Sequence, residues 1–128
     1  MAPPFADMRE FIDTLEANNE LRVIKNADWD LEIGTICELN YEQKGPALLF
    51  DDIKDYPTGF RVLAESTWGV RRAMLALGPP PDTSIDEGLA AYERRVASYK
   101  PVAPVEVQTG PIYENSYWVD DIDLLKFP

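Results

Sequence analysis

Past Lys100 this chain is denied an α-helix. Pro101, Pro104 and Pro111 each lack the amide proton a helix needs, and each ring collides with the preceding turn. The sequence therefore divides in two. Residues 1–100 carry patterns for packed helices and strands, and residues 101–128 read as an extended connector, with one strand expected at Val105–Gln108. A second proline cluster, Pro79-Pro80-Pro81, reads as a rigid joint inside the first part, because the one helix that follows it is too small to stand alone. The connector closes on Asp123-Leu124-Leu125-Lys126-Phe127-Pro128, an apolar approach of the kind that delivers a chain into another domain, with Phe127 expected to be exposed.

The first hundred residues alternate helix and strand signals at short spacing. Asp7 and Glu10 have capping-box spacing, and Phe5, Met8, Ile12 and Leu15 recur at helical intervals. Leu21–Lys25 alternates as a strand. Asp30 is placed to cap a second helix, with Ile33, Ile36, Cys37 and Tyr41 inward and Gly45-Pro46 as its stop. Ala47-Leu48-Leu49-Phe50 is a buried strand, and Phe60–Ala64 a third strand. Trp68–Leu77 predicts a helix ended by Gly78. Ser84 and Glu87 open a fourth, with Ile85, Leu89, Tyr92 and Val96 along one face. The expected class is α/β (α+β): a small sheet of three to four short strands packed by about four helices.

Composition removes several functions. Of 128 residues 45 % are hydrophobic, enough for one core and too many for a disordered chain. The net charge of −11 argues against nucleic acid and anionic membranes as partners, since phosphate binding needs clustered Lys and Arg. There is no histidine, so Ser-His-Asp, Cys-His and zinc-imidazole chemistry have no place within these residues. A single Cys37 forms no internal disulfide. No apolar run reaches the roughly twenty residues of a membrane span. Met1-Ala2-Pro3-Pro4-Phe5 has neither the basic nor the apolar region of a secretory signal, and the expected location is cytoplasmic.

Few residues qualify for a site. Glu114, Asp120, Asp121 and Asp123 offer oxygen ligands for Mg²⁺ or Ca²⁺, but their spacing matches no defined coordination loop, and they read as a solvated acidic turn. Arg71-Arg72, after Ser66-Thr67, stand near a helix N-terminus as a phosphate site would require. Pairing with the chain's many carboxylates is the plainer reading. Cys37 lies on an apolar helix face without a basic neighbour and reads as structural. Trp29, Trp68 and Trp118 sit in different elements, as core or interface anchors. The residues by themselves yield no catalytic site.

Several stretches in order resemble the N-terminal part of the UbiD-type, prenylated-FMN-dependent decarboxylases: Asp7–Glu16 with Glu20-Leu21, Asp30–Ile33, Gly45–Phe50, Gly69–Gly78, then Gly110-Pro111, Glu114-Asn115 and Asp123–Pro128. The resemblance implies a larger non-oxidative decarboxylase of aromatic or α,β-unsaturated carboxylic acids. Its cofactor would be prenylated FMN held with a divalent metal (Mn or Mg) and potassium, and a Glu-Arg-Glu group would handle the proton. The family's His-containing Asp-Gly-Gly segment and its catalytic, cofactor and metal positions have no counterpart here, so no catalytic, cofactor-binding or metal residue is assigned.

What the resemblance implies for this chain is a structural role. It would serve as an N-terminal domain (1–100) and a connector (101–128), packed against a central flavin-binding domain and associated with a C-terminal oligomerisation domain in a homo-oligomeric parent. The connector would be ordered by that partner domain. The rival expectation is a freestanding acidic module that recruits a basic protein, with Trp68, Trp118 and Phe127 as exposed anchors.

Overall fold

The computed structural model describes residues 5–127; Met1–Pro4 and Pro128, named above for the missing signal and the terminal approach, lie outside them. Helix α1 (Met8–Ala17) leads to strand β1 (Leu21–Lys25), helix α2 (Glu32–Glu42), and strands β2 (Ala47–Asp51) and β3 (Val62–Ala64). Helices α3 (Val70–Leu77) and α4 (Ile85–Ala97) follow, and then three single 3₁₀ turns, at Pro111–Tyr113, Val119–Asp121 and Leu124–Lys126. The architecture is α+β.

The sheet is mixed, in the order β1-β2-β3. β1 and β2 run parallel with Leu21 opposite Ala47 and Lys25 opposite Asp51, joined through α2. β3 returns antiparallel, placing Val62 opposite Phe50. The central strand is covered on both faces, which is why Ala47-Leu48-Leu49-Phe50 is a continuous apolar run rather than an alternating one. On one face Ala47 packs with Phe11 and Leu15 of α1 and Leu75 of α3. On the other, Leu48 and Phe50 pack with Ala27 and Ile53, flanked by Ile33, Ile36 and Cys37 of α2.

Local chemistry explains most boundaries. Asp7 caps α1, its carboxylate accepting the amides of Arg9 (2.8 Å) and Glu10 (3.1 Å). Ser84 and Glu87 form a complete capping box on α4. Gly78 ends α3 at φ 95°, a left-handed conformation that admits glycine without strain.

Five expectations are corrected. Asp30 does not cap α2: the helix starts after Leu31 at φ 68°, and Asp28 and Glu32 hold the turn through the amides of Asp30 and Asp28. The inward residue at the end of α2 is Asn40, while Tyr41 is exposed. Helix α1 turns Phe11 and Leu15 inward and leaves Met8 in solvent, because Phe5 folds back onto Phe11 with ring centroids 5.1 Å apart. Val105–Gln108 forms no strand, since no described edge takes up its amides. On α4 the Ile85, Leu89, Tyr92 and Val96 face is not buried; the buried residue is Gly88.

Candidate functional site

The most ordered polar cluster lies where β1, β3, α2 and α3 meet, and Glu20 is its hub. Standing just before β1, Glu20 accepts Arg71 Nε on one oxygen at 2.8 Å and Arg72 Nη1 on the other at 2.9 Å. Arg72 is only 4 % exposed. Its remaining contacts are a hydrogen bond to the Glu65 carbonyl at 3.1 Å and the face of Trp68, whose ring centroid is 5.8 Å from the guanidinium carbon. Trp68 in turn packs against Tyr41, centroids 4.7 Å apart. Asn40 completes the cluster, donating to the Pro46 carbonyl at 2.9 Å and to the Glu65 carboxylate at 2.5 Å. A buried guanidinium needs such compensation, and here it has it.

Arg71 faces outward and joins this cluster to the proline joint, pairing with Asp82 as well as Glu20. These two carboxylates, Glu20 foremost, raise its pKa further above the ordinary guanidinium value. So Arg71 and Arg72 are paired with carboxylates, as the plainer reading expected. One of them is structural and buried rather than a surface ion pair. Glu20, Asn40 and Glu65 escaped the sequence reading as a unit, because Arg72 and Glu20 are 52 residues apart and Asn40 and Glu65 are 25. The one sequence signal is a carboxylate immediately before an alternating strand.

The other candidates stay apart. Glu114, Asp120, Asp121 and Asp123 are exposed, and Asp123 accepts the Leu125 amide at 3.0 Å, a local turn bond of the kind expected. Cys37 is half-buried against the α2 face of the sheet; burial, and then the nearby Glu65 carboxylate, push its thiol pKa up, away from reactivity. Trp29 meets Tyr56 edge-on at 6.3 Å, while Trp118 is exposed.

Among the described residues the connector returns to the body at Tyr56 and Phe60. The Tyr56 hydroxyl shares its proton between the carbonyls of Leu125 (2.8 Å) and Phe127 (2.9 Å). Phe127 meets Phe60 edge-on at 6.4 Å, and Phe60 lies against Tyr56 with tilted rings 5.9 Å apart. Phe127 is exposed on its other side, as expected. A cavity of about 260 Å³ opens between Phe60, Tyr117, Ile122 and Phe127.

Nothing in this arrangement pairs a nucleophile with a base. Among the described residues no group of three or more His, Cys, Asp or Glu is placed to hold a metal ion. With both arginines of the cluster already engaged by carboxylates, these residues do not fit a flavin phosphate or its metal. No described helix is long and apolar enough to cross a membrane.

Known proteins place this geometry. The model of the 3-octaprenyl-4-hydroxybenzoate carboxy-lyase N-terminal domain matches residues 12–92. The chain belongs to that family. It is 34 % identical to the pyrrole-2-carboxylic acid decarboxylase of Pseudomonas aeruginosa and 31 % identical to the phenolic acid decarboxylase of a Streptomyces species, each over 95 % of this chain. In structure this carboxy-lyase N-terminal domain is similar to the vanillic acid decarboxylase of Sedimentibacter hydroxybenzoicus in its closed form, with TM-score 0.65 and 25 % identity over 89 % of the chain. That match takes in 24 % of the vanillic acid enzyme, and this chain spans about a quarter (26 %) of the curated relatives' length. Residues 12–92 run from inside α1 to the middle of α4, so the Glu20–Arg72 cluster lies within the family's own segment.

Proposed function

We propose that the chain is the N-terminal domain of a non-oxidative decarboxylase of aromatic or α,β-unsaturated carboxylic acids. The observation that carries the reading is a decarboxylase on each side of the comparison: two curated relatives above 30 % identity across 95 % of the chain, and a solved one of the same fold. In this reading the larger enzyme works through prenylated FMN, held with Mn or Mg and potassium by residues outside this chain. The Glu20–Arg72 cluster, its arginines taken up by carboxylates, does not fit that group.

The chain's own part is mechanical. The Glu20–Arg72–Asn40–Glu65 cluster fixes β1, β3 and α3 as one unit, and residues 101–128 lead from residues 1–100 toward a central flavin-binding domain. That domain, with a C-terminal oligomerisation domain, would complete a cytoplasmic homo-oligomer.

The test is a comparison of CO₂ release and flavin absorbance. The complete enzyme should show both with an aromatic or unsaturated acid, and the purified 128-residue chain neither. Catalysis by the 128 residues alone would overturn the proposal. Limited proteolysis adds a second arm. Residues 101–128 should be cut rapidly in the isolated chain and protected in the complete enzyme; equal cutting would refute the idea that a partner domain orders them.

A further inference from the structure

Helix α4 carries a regular apolar stripe that the described residues do not bury. Ile85, Leu89, Tyr92 and Val96 are 52, 50, 46 and 44 % exposed. Their spacing of four, three and four residues is that of a helix–helix seam, in which each side chain enters a hole formed by a facing helix. The helix is pinned by a different face. Gly88 lies against Met74, so close that a β-carbon there would fall 2.2 Å from its sulfur, and Arg95 donates to the Leu77 carbonyl at 2.9 Å. The seam thus lies to one side of the α3 contact and stands about half exposed. On the other side of α4, a groove of about 920 Å³ runs between the helix and the Gly78–Pro80 turn, lined by Glu87, Ala90, Arg94 and Ser98.

The flanks say what fits. Counting Ile85 and Tyr92 as one seam row and Leu89 and Val96 as the other, the open flank presents Asp86 and Glu93, both exposed. The opposite flank holds Gly88 and Arg95, which face α3. A second copy would bring another net charge of −11 against this one and is disfavoured. A helix with an apolar seam and a basic open flank is favoured, and the relatives, at about four times this chain's matched length, have ample chain to supply one.

We infer that the α4 seam is the docking face for an amphipathic helix, flanked by Lys or Arg, from the remainder of the decarboxylase. The inference rests on the proposed function and assigns that reading its contact surface. Ile85, Leu89, Tyr92 and Val96 enter the partner helix, and Asp86 and Glu93 select the basic flank.

Thiol accessibility in the complete native enzyme tests this. In a Cys37→Ser background, L89C and A90C are compared for labelling rate, each against its denatured control. The L89C thiol should react about tenfold more slowly than A90C, whose position points off the seam. Adding Glu93→Lys with Asp86→Lys should restore several-fold reactivity at L89C by loosening the charged flank. A fast L89C thiol in the native protein overturns the inference, as does equal protection at both positions. A disulfide between two L89C chains under mild oxidation would make the occupant a second copy and also overturn it. CO₂ release from the same samples separates the two claims. A protected L89C without activity removes the functional reading and keeps the docking face; a reactive L89C in an active enzyme does the reverse.

Discussion

Two helices of this domain, α1 and α4, begin much alike: an oxygen of Asp7 or Ser84 takes the first free amides, and a glutamate three residues on accepts a nearby one in return, Glu10 that of Ala6 and Glu87 that of Ser84. Both carry apolar residues at helical spacing. Yet α1 buries Phe11 and Leu15 against Ala47 and Leu75, while α4 buries only Gly88 and leaves its seam outside. Local signals set where a helix begins and which stripe it carries. What fills the stripe is decided by the rest of the fold, and on α4 the described residues leave it open.

The strongest way to break this contrast is to truncate one leucine in each helix. Leu15 is fully buried, so Leu15→Ala should cost about 3–4 kcal/mol of stability in urea unfolding. Leu89→Ala in the isolated domain should cost under about 0.5 kcal/mol, as a surface change does. Comparable losses at the two sites would mean that α4 is packed after all.

The next largest effect is expected at the polar cluster. Removing Glu20 leaves Arg72, whose side chain is 5 % exposed, with only a carbonyl and the Trp68 face. Glu20→Ala should therefore destabilise by about 2–3 kcal/mol, less than a fully buried pair because the Glu20 side chain keeps some solvent contact. Glu20→Gln should recover part of that loss, since its amide oxygen still accepts one guanidinium. Tryptophan emission near Trp68 would report the displaced guanidinium directly.

These sites differ in how far they could be read from sequence. The helices and the three strands were legible because each announces itself within a few residues: Asp7 and Ser84 as caps, Gly78 as a stop, Ala47–Phe50 as an apolar run bounded by turn residues. Errors came where several neighbours compete for one turn or where the deciding partner is remote in sequence. Asp30 looked like a cap, but Asp28 and Glu32 hold that turn between them, and Leu31 takes the positive φ instead. Val105–Gln108 has strand composition and no edge to join. The arginine cluster was legible as two cations in search of carboxylates, but not as a buried hub, because Glu20 meets Arg72 only once β1 and α3 are both in place. The openness of the α4 seam was invisible, since periodicity names a face and not its neighbour.

A smaller perturbation sharpens the contrast at the α3–α4 joint. Gly88→Ala places a methyl into the Met74 thioether. Met74 is flexible but buried, so it has room to yield only in part, and a loss of about 1–2 kcal/mol is expected. The same variant should tilt α4 and raise labelling of an L89C thiol in the complete enzyme. An unchanged stability with unchanged labelling would show that α4 is not pinned through Gly88.

The smallest effect separates the two caps by pH. Asp7's pKa is lowered, first by the Glu10 amide it accepts and also by Arg9, both of which favour its charged form. A depressed carboxyl contributes stability above its unfolded value and loses it as pH falls through the folded value. The cap on α1 therefore weakens on acidification below the ordinary aspartate range, whereas the Ser84 hydroxyl does not titrate. Amide exchange of Glu10 should rise on moving from neutral to acidic pH relative to that of Glu87, once intrinsic exchange is corrected. Asp7→Asn, which keeps a capping oxygen without a titrating group, should abolish the difference. If the Glu10 amide of the asparagine variant still loosened in acid, the cause would lie in another group, and the two helices would begin less alike than their caps suggest.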